Sequence, residues 1–484
     1  MEYLFQINSY KTRFILSFIS AIIYQMSSSI VTTLGSFCVY FISYIHYKSP
    51  NTNINMQYGN INGPIIILLL SSFSPLSGLF EKKLGPKLTL ILSSSIVEIC
   101  LIFYYFQGNL WIFYTISIFI GIGNGLSAGV PIKNTCKYYP KKKGTINAVI
   151  ISLGGIISIL YSFIGEKIIN PDKENIINKE TNPFYPLDVA NRANNYFLFA
   201  MITFPILVLI SLFLFHKFIP NNDNNTKENN ITLVEKNIID NDKITNTKEI
   251  IKTFRFWRNI IIIGLMPFWA FFINSTYRAY SPIIGIDKNL VSFLSMIVNG
   301  LSSITGLIWA LIYDKFGFQI IIKIMSLVCI FLSVYYIIFT DNSTLYFIGI
   351  IISTFLSRIG MMSVINPHVM QVFEFRNYLI IGGFTRLFNQ SNAFLAALSS
   401  VLLSLKFKTK DDLKLPYRIV ASIGAVFAII GLVLSFYEND EKFFEKNDLK
   451  LREDSLGVDN NRESTSSDNL DEENKEKDEN KKEE

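Results

Sequence analysis

The main pattern along the chain is a succession of apolar stretches separated by polar segments. Each stretch is about 20 residues long, enough for a helix to cross a bilayer core of roughly 30 Å. The pattern therefore predicts an all-α polytopic membrane protein with about twelve spans. We place the spans at residues 14–41, 64–80, 88–106, 110–136, 146–164, 196–215, 259–277, 290–313, 320–339, 345–364, 379–405 and 419–436.

The polar segments between the apolar stretches divide the chain into domains. The middle of the chain is a low-complexity stretch of Asn, Lys, Glu and Asp, and the end is charged and lacks apolar periodicity. Such composition cannot bury enough apolar surface to fold. We therefore predict an amino-terminal six-helix bundle over residues 1–217, a cytoplasmic linker over 218–255, a carboxy-terminal six-helix bundle over 256–437 and a disordered charged tail over 438–484.

Composition agrees with a membrane protein and excludes several functions. Of the 484 residues, 50% are hydrophobic and only 17% are charged, whereas soluble proteins have about a quarter charged. The net charge of +6 is spread over loops and gives no indication of nucleic-acid binding. No Walker A motif, nucleophile elbow or His/Cys metal cluster occurs in the sequence. The sequence thus predicts neither an enzyme nor a cofactor or metal.

The orientation follows from the short basic loops. Residues 81–83, 137–143 and 374–376, with the amino-terminal Lys11 and Arg13, all fall on one side of the membrane. Positively charged loops resist translocation, so this side and both termini should be cytoplasmic. Lys406, Lys408 and Lys410 lie on the opposite side and are a tolerated exception. The sequence does not distinguish the plasma membrane from an organelle membrane.

Two tight turns repeat at matching places in the two halves, after the second and the eighth span. Each has a glycine in the span, then acidic and basic residues, and a second glycine at the turn. The shared residues are Gly78, Gly85 and Lys87 in the first copy, and Gly306, Asp314, Lys315 and Gly317 in the second. Parallel halves of this kind are typical of secondary transporters.

These turns resemble the loop motif of the major facilitator superfamily. Asp314, Lys315 and Gly317 match that motif, but Phe318 and Gln319 replace its later basic residues. The first copy keeps Gly85 and Lys87, with Glu81 or Lys82 near the acidic position. The resemblance implies the major facilitator fold and a gating role for the turn residues. It also implies that spans one, four, seven and ten line the transport pathway.

A second turn narrows the resemblance to one branch. Glycines at alternate positions, then Tyr139-Pro140, a lysine run and Gly144 resemble the oxalate/formate antiporter and monocarboxylate porter branch. The segment 373–377 resembles the corresponding turn of the second half. Animal proton-coupled members carry an acid and an arginine in span eight, where residues 290–311 have no charge. This departure argues against a proton–lactate mechanism of that type.

Charged residues inside spans indicate function, because each costs about 2.5–3.5 kcal/mol at the bilayer centre unless paired or hydrated. Arg386 in span eleven can hold a carboxylate by a two-pronged hydrogen bond, a role that the resemblance also implies. The alternative is a structural arginine between helices. Arg358 and Glu98 are further candidates, for anion binding and proton coupling respectively, or for structural ion pairs. For Lys133 we expect snorkelling to the interface.

Uncharged polar residues within the spans complete the predicted cavity. They are Tyr24, Gln25, Asn274, Tyr277 and Asn389. Together the observations predict a secondary transporter that moves a small, monocarboxylate-like organic anion by alternating access. Its partners would be the substrate, the lipid bilayer and a coupled proton or counter-anion. The alternatives are a transporter of another solute, such as an amino acid or sugar, and a non-transporting membrane receptor or scaffold.

Overall fold

A computed structural model of the chain describes residues 10–49, 54, 58–106, 108–172, 174, 184–218, 247–270, 272–273, 288–339, 342–354, 356, 358–406 and 410–436. Over these ranges the secondary structure is mainly α-helical, with a short 3₁₀ turn at Pro140–Lys142. Every predicted span is covered, wholly or in part, by a helix, which confirms the all-α class. Most of the linker and the predicted disordered tail lie outside the described residues.

The helices form two halves that follow one another in the chain. The first half contains α1 (Tyr10–Lys48), α2 (Gly59–Leu84), α3 (Pro86–Tyr105), α4 (Leu110–Ser127), α5 (Val130–Cys136), α6 (Lys143–Ile169) and α7 (Leu187–Leu214). The second half contains α8 (Thr247–Lys252), α9 (Phe254–Leu265), α10 (Lys288–Phe339), α11 (Ser343–Thr354), α12 (Arg358–Val372), α13 (Glu374–Lys406) and α14 (Lys410–Ser435).

Side-chain exposure along these helices matches a bilayer solvent. Large apolar side chains such as Phe103, Leu209 and Leu327 are more than half exposed, while many serine, threonine and asparagine side chains are buried between helices. In lipid, burying an apolar side chain between helices gives no hydrophobic gain, and polar side chains form hydrogen bonds across helix interfaces. Among the described residues, eight helical stretches are long and apolar enough to span a membrane.

The fourth span of each half is interrupted, whereas the sequence predicted continuous helices. In the first half, α4 ends at Ser127 and α5 begins at Val130. Gly129 has a left-handed backbone (φ 84°), and Pro131 lacks the N–H that a continuous helix would need. In the second half, Leu356 has a turn conformation between α11 and α12, and its N–H donates to the carbonyl oxygen of Ser353 at 3.1 Å. Hydropathy does not report such breaks, because both segments remain apolar.

The repeated turns are confirmed in backbone geometry but differ in their charges. Gly85 and Gly317 have nearly the same conformation, with φ 82° and ψ 164°, and φ 76° and ψ 175°. Glycine is favoured there because other residues are strained at positive φ. Aligning the two glycines places Lys82 opposite Asp314, so the first turn has no acid in the equivalent position.

Lys133 does not snorkel to the interface as the sequence suggested. It is only 5% exposed, and its Nζ lies 2.6 Å from Oε2 of Glu81. Glu81 is thus occupied within the first half, pairing α2 with α5. The reason for the difference is the helix break at Gly129, because α5 becomes a separate short helix packed within the first half.

Candidate functional site at the junction of the halves

The two halves meet along pairs of long helices. The helix α13 packs along α2, while α10 and α12 pack against α6. Glycines permit the first crossing: a Cβ on Gly383 would overlap the backbone of Pro75, and one on Gly78 would lie 2.6 Å from Cγ1 of Ile380. Gly78, predicted as part of a loop motif, therefore serves helix packing.

Arg386 lies where these helices meet and is 6% exposed. Its Nη1 donates to Oγ of Ser74 and to the carbonyl oxygen of Ala128, both at 3.0 Å. Its Nη2 donates to Oδ1 of Asn366 at 3.3 Å and to the hydroxyl of Tyr378 at 2.5 Å. The four acceptors come from α2, the α4–α5 break, α12 and α13. One guanidinium therefore joins both halves.

The helix break in span four creates part of this site. Because the chain leaves the helical path at Ala128 and Gly129, the Ala128 carbonyl oxygen is free to accept from Arg386. A Cβ on Gly129 would lie 2.6 Å from Nη2 and 2.9 Å from Nη1 of Arg386. The left-handed glycine is therefore needed twice, for the backbone turn and for the space that the guanidinium occupies.

The oxygen atoms around Arg386 are all neutral. Within the described ranges no carboxylate lies within salt-bridge distance of its guanidinium. Hydrogen bonds from a charged donor offset part of the desolvation cost, each contributing about 1.5–3 kcal/mol, but they leave the formal charge uncompensated. A buried cation in this setting is a strong attractor for an anion.

Two asparagines extend the contact between the halves. Asn147 of α6 donates through Nδ2 to the carbonyl oxygens of Met362 and Ser363 in α12, at 3.2 and 3.4 Å. Asn366 donates through Nδ2 to Oδ1 of Asn147 at 3.1 Å. Since Oδ1 of Asn366 accepts from Arg386, a continuous hydrogen-bonded chain runs from α6 through α12 to α13.

A second contact between the halves lies at the basic end, which we define as the end of the bundle carrying the Gly85 turn, residues 137–144 and the Gly317 turn. Oδ2 of Asp314 accepts from the backbone N–H of Thr145 at 2.9 Å and from its hydroxyl at 2.5 Å. A carboxylate at the start of α6 also interacts favourably with the helix dipole. The halves are therefore closed against each other here.

The family model described as Major Facilitator Superfamily matches residues 13–397. The chain belongs to the major facilitator superfamily. In a comparison with solved structures, it is similar to the proton:xylose symporter XylE, in a complex with 6-bromo-6-deoxy-D-glucose, with a TM-score of 0.62 and 11% identity. The match covers 90% of this chain and 96% of that one, and at this identity it shows the fold alone. No curated protein matches the chain.

Membership of the superfamily makes this protein a multi-pass membrane transporter rather than an enzyme. Transporters of this architecture place their sites between two halves that move against each other. Arg386 and its four acceptors occupy that position in the described structure.

Three of the predicted polar residues contact other helices of the bundle. The hydroxyl of Tyr24 lies 3.3 Å from Oγ of Ser94 in α3. Gln25 packs against Gly154 of α6, where an added Cβ would lie 2.5 Å from its Cγ. Asn389 donates to the carbonyl oxygen of Ile263 at 3.1 Å. Their contacts in the described structure join helices within each half and do not include Arg386.

The other predicted residues have varied positions. Glu98 is half-buried in α3, and its Oε2 is enclosed without a hydrogen-bond partner among the described residues. Arg358 begins α12, but its side chain lies outside the described part, as do Asn274 and Tyr277. Of the turn residues, Lys87 and Lys315 are exposed and Gly306 is buried in α10. The structure does not bring the described residues Glu98, Lys87, Lys315 and Gly306 to the Arg386 junction.

Sequence reasoning did not single out the residues that surround Arg386. Ser74, Tyr378, Asn366 and Asn147 are ordinary polar residues within or beside apolar spans. All four are less than 5% exposed, as many polar side chains of the bundle are. What distinguishes them is that all four lie at the junction of the halves. A polar residue in a span, read together with the helix pairing of the two halves, is the signal that would have found them.

Proposed function

We propose that this protein is a secondary transporter for a small organic anion of the monocarboxylate class, which binds to Arg386. The observation that supports this is a buried guanidinium at the junction of the halves whose described partners are neutral oxygens. The branch resemblance at residues 137–144 supports the same substrate class.

A carboxylate fits the chemistry of this site. Its two oxygens can accept in parallel from the two terminal nitrogens of the guanidinium, which gives orientation as well as affinity. The hydroxyls of Ser74 and Tyr378 lie 3.0 and 2.5 Å from those nitrogens. Either hydroxyl can donate to a carboxylate, or to a keto or hydroxyl oxygen beside it. A small, oxygen-rich anion is therefore favoured over a neutral sugar.

Alternating access requires the basic end to open and close. Under this proposal the basic end faces the cytoplasm, as its lysines favour. Opening breaks the two hydrogen bonds between Asp314 and Thr145 and separates α2 from α13. Asp314 thus acts as a gate residue, with Lys315 and Gly317 completing its turn.

The coupling partner is a proton or a counter-anion. Glu98 is the candidate for proton coupling, because its enclosed Oε2 lacks a hydrogen-bond partner among the described residues. An enclosed carboxyl of this kind is a common proton carrier in transporters. Arg358 is the candidate for a second cationic contact with the anion. The linker over 218–255 and the tail over 438–484 are proposed to lie on the cytoplasmic side.

The test is uptake of labelled formate, lactate, pyruvate and oxalate into proteoliposomes, with and without a pH gradient and with unlabelled anion inside. Arg386→Gln removes the charge, while Arg386→Lys keeps it without the two-pronged geometry. Arg192→Gln is the control, since Arg192 in α7 pairs within the first half with the exposed Asp172, at 3.3 Å. We expect Arg386→Gln to lose saturable uptake by at least about a hundredfold, Arg386→Lys to retain part, and the control to match the wild type.

Two results would contradict the proposal in different ways. Uptake of every anion unchanged by Arg386→Gln would remove the site. Folded wild-type protein that takes up none of the four anions would remove the substrate class and leave the superfamily assignment intact.

A further inference from the structure

The hydrogen bonds of Arg386 draw on both halves of the transporter. Ser74 and Ala128 belong to the first half, and Asn366 and Tyr378 belong to the second. Each terminal nitrogen of the guanidinium donates to two of these oxygens. The same N–H groups that would hold a carboxylate are therefore used to hold the halves together.

Asn366 and Asn147 carry this contact further. Asn366 accepts from Arg386 through Oδ1 and donates to Asn147 through Nδ2. Asn147 in turn donates to two carbonyl oxygens of α12. Both amides are at most 2% exposed, so water does not readily replace a partner that moves away.

A carboxylate on Arg386 competes with these neutral acceptors. It is charged and bidentate, so it adds a Coulomb attraction and two parallel hydrogen bonds that single amide or hydroxyl oxygens cannot give the guanidinium. When it takes the two terminal nitrogens, the acceptors from the two halves lose their shared donor. The closed junction is then weaker than it was before the anion bound.

We infer that Asn147 and Asn366 are positioning residues that hold Arg386 in the closed junction, and that an anion bound to Arg386 releases this contact and favours opening of the basic end. This inference rests on the proposed function, because it needs an anion at Arg386. It adds a physical link between binding and movement. A ligand shifts a conformational equilibrium only by its differential interaction with the two states, and the competition for donors supplies that difference.

The chain contains a natural reporter for opening of the basic end. Cys136 ends α5 and is fully buried, with Sγ 3.7 Å from the carbonyl oxygen of Lys143. It lies beside Gly144, where an added Cβ would overlap the Asp314 carboxylate. Separation of the halves at Asp314 would expose this thiol. The other cysteines, Cys38, Cys100 and Cys329, are buried elsewhere in the bundle. In the background used for labelling, these three are replaced by serine or alanine.

The experiment measures the rate of maleimide labelling of Cys136 in the full chain, with added pyruvate or formate, and with chloride as the control salt. We expect pyruvate or formate to speed labelling of the wild-type background. Asn147→Ala and Asn366→Ala should label roughly fivefold faster than that background without added anion, which corresponds to losing about one net hydrogen bond. In both variants the anion should speed labelling by a smaller factor than in the wild-type background, because part of the contact that it releases is already lost.

A matched variant removes a buried amide without touching the contact between the halves. Asn124 in α4 accepts from Ser28 within the first half at 3.3 Å. Asn124→Ala should label like the wild-type background with and without anion. Thermal unfolding of each variant confirms that it is folded, and Asn147→Ser replaces Asn147→Ala if the latter is not.

The outcomes separate this inference from the proposed function. Labelling rates of Asn147→Ala and Asn366→Ala equal to the wild-type background would overturn the positioning role, even if Arg386 proves essential for uptake. Fast labelling in both variants, with no effect of any anion on the wild-type background, would keep the contact between halves and overturn its release by an anion. Fast labelling in Asn124→Ala as well would show that any buried amide has this effect, which overturns the inference.

Discussion

Gly129→Ala tests the arrangement of the α4–α5 break around Arg386. Alanine at φ 84° costs about 1–2 kcal/mol of backbone strain. Its Cβ would lie 2.6 and 2.9 Å from Nη2 and Nη1 of Arg386, closer than carbon and nitrogen can approach. The guanidinium must therefore move, and it loses at least one charge-assisted hydrogen bond, worth about 1.5–3 kcal/mol.

Gly85→Ala separates the strain from the collision. Gly85 also has a positive φ of 82°, but a Cβ there would meet no atom within 4 Å. Both variants should lose thermal stability through backbone strain, Gly85→Ala because its ψ of 164° lies in a region that glycine alone commonly adopts. Gly129→Ala should in addition lose a hydrogen bond of Arg386, about 1.5–3 kcal/mol. Thermal unfolding of the purified protein, with and without added pyruvate, measures both effects.

Anion binding should distinguish the two variants further. With Arg386 displaced, Gly129→Ala should bind pyruvate at least about tenfold more weakly, since 1.4 kcal/mol corresponds to a factor of ten. Gly85→Ala should keep the stabilisation that pyruvate gives to the wild type. An equal response to pyruvate in the two variants would contradict this prediction.

Three further predictions concern the basic end. Asp314→Asn should weaken the contact with Thr145 and increase labelling of Cys136 severalfold, and an unchanged rate would contradict the gate. Glu81→Leu alone should destabilise the protein by about 3–5 kcal/mol because it leaves Lys133 buried and unpaired, whereas adding Lys133→Met should restore most of the loss; thermal unfolding decides. Burial lowers the pKa of Lys137 from 10.5 to about 8, so the unfolded chain binds more protons between those values and stability should rise with pH across that window. Lys137→Met should show a smaller rise than the wild type, and identical pH profiles would contradict this prediction.

Much of the fold follows from the sequence because the bilayer imposes a length and a polarity on every span. The apolar runs located the spans, and the two repeated glycine turns predicted two related halves. Arg386 was identifiable because a charge amid apolar residues is costly. These inferences need only local information.

The contacts of Arg386 could not be predicted in the same way. Ser74 and Ala128 lie 312 and 258 residues away in the chain, and only the packing of α13 against the first half brings them together. The break at Gly129 was signalled by the sequence Gly-Val-Pro, but hydropathy treats it as part of one apolar run. The environment of Lys133 was predicted wrongly because its partner Glu81 belongs to another helix, and the packing of the two helices is not visible in the sequence.

The proposed function depends on the binding of a small organic anion at Arg386. The most direct measurement is calorimetric titration of the purified protein with pyruvate, formate, lactate and oxalate, alongside Arg386→Gln. We predict saturable binding of at least one anion to the wild type and its loss in the variant. Equal binding to both proteins, or no binding of any of the four to folded wild-type protein, would contradict it.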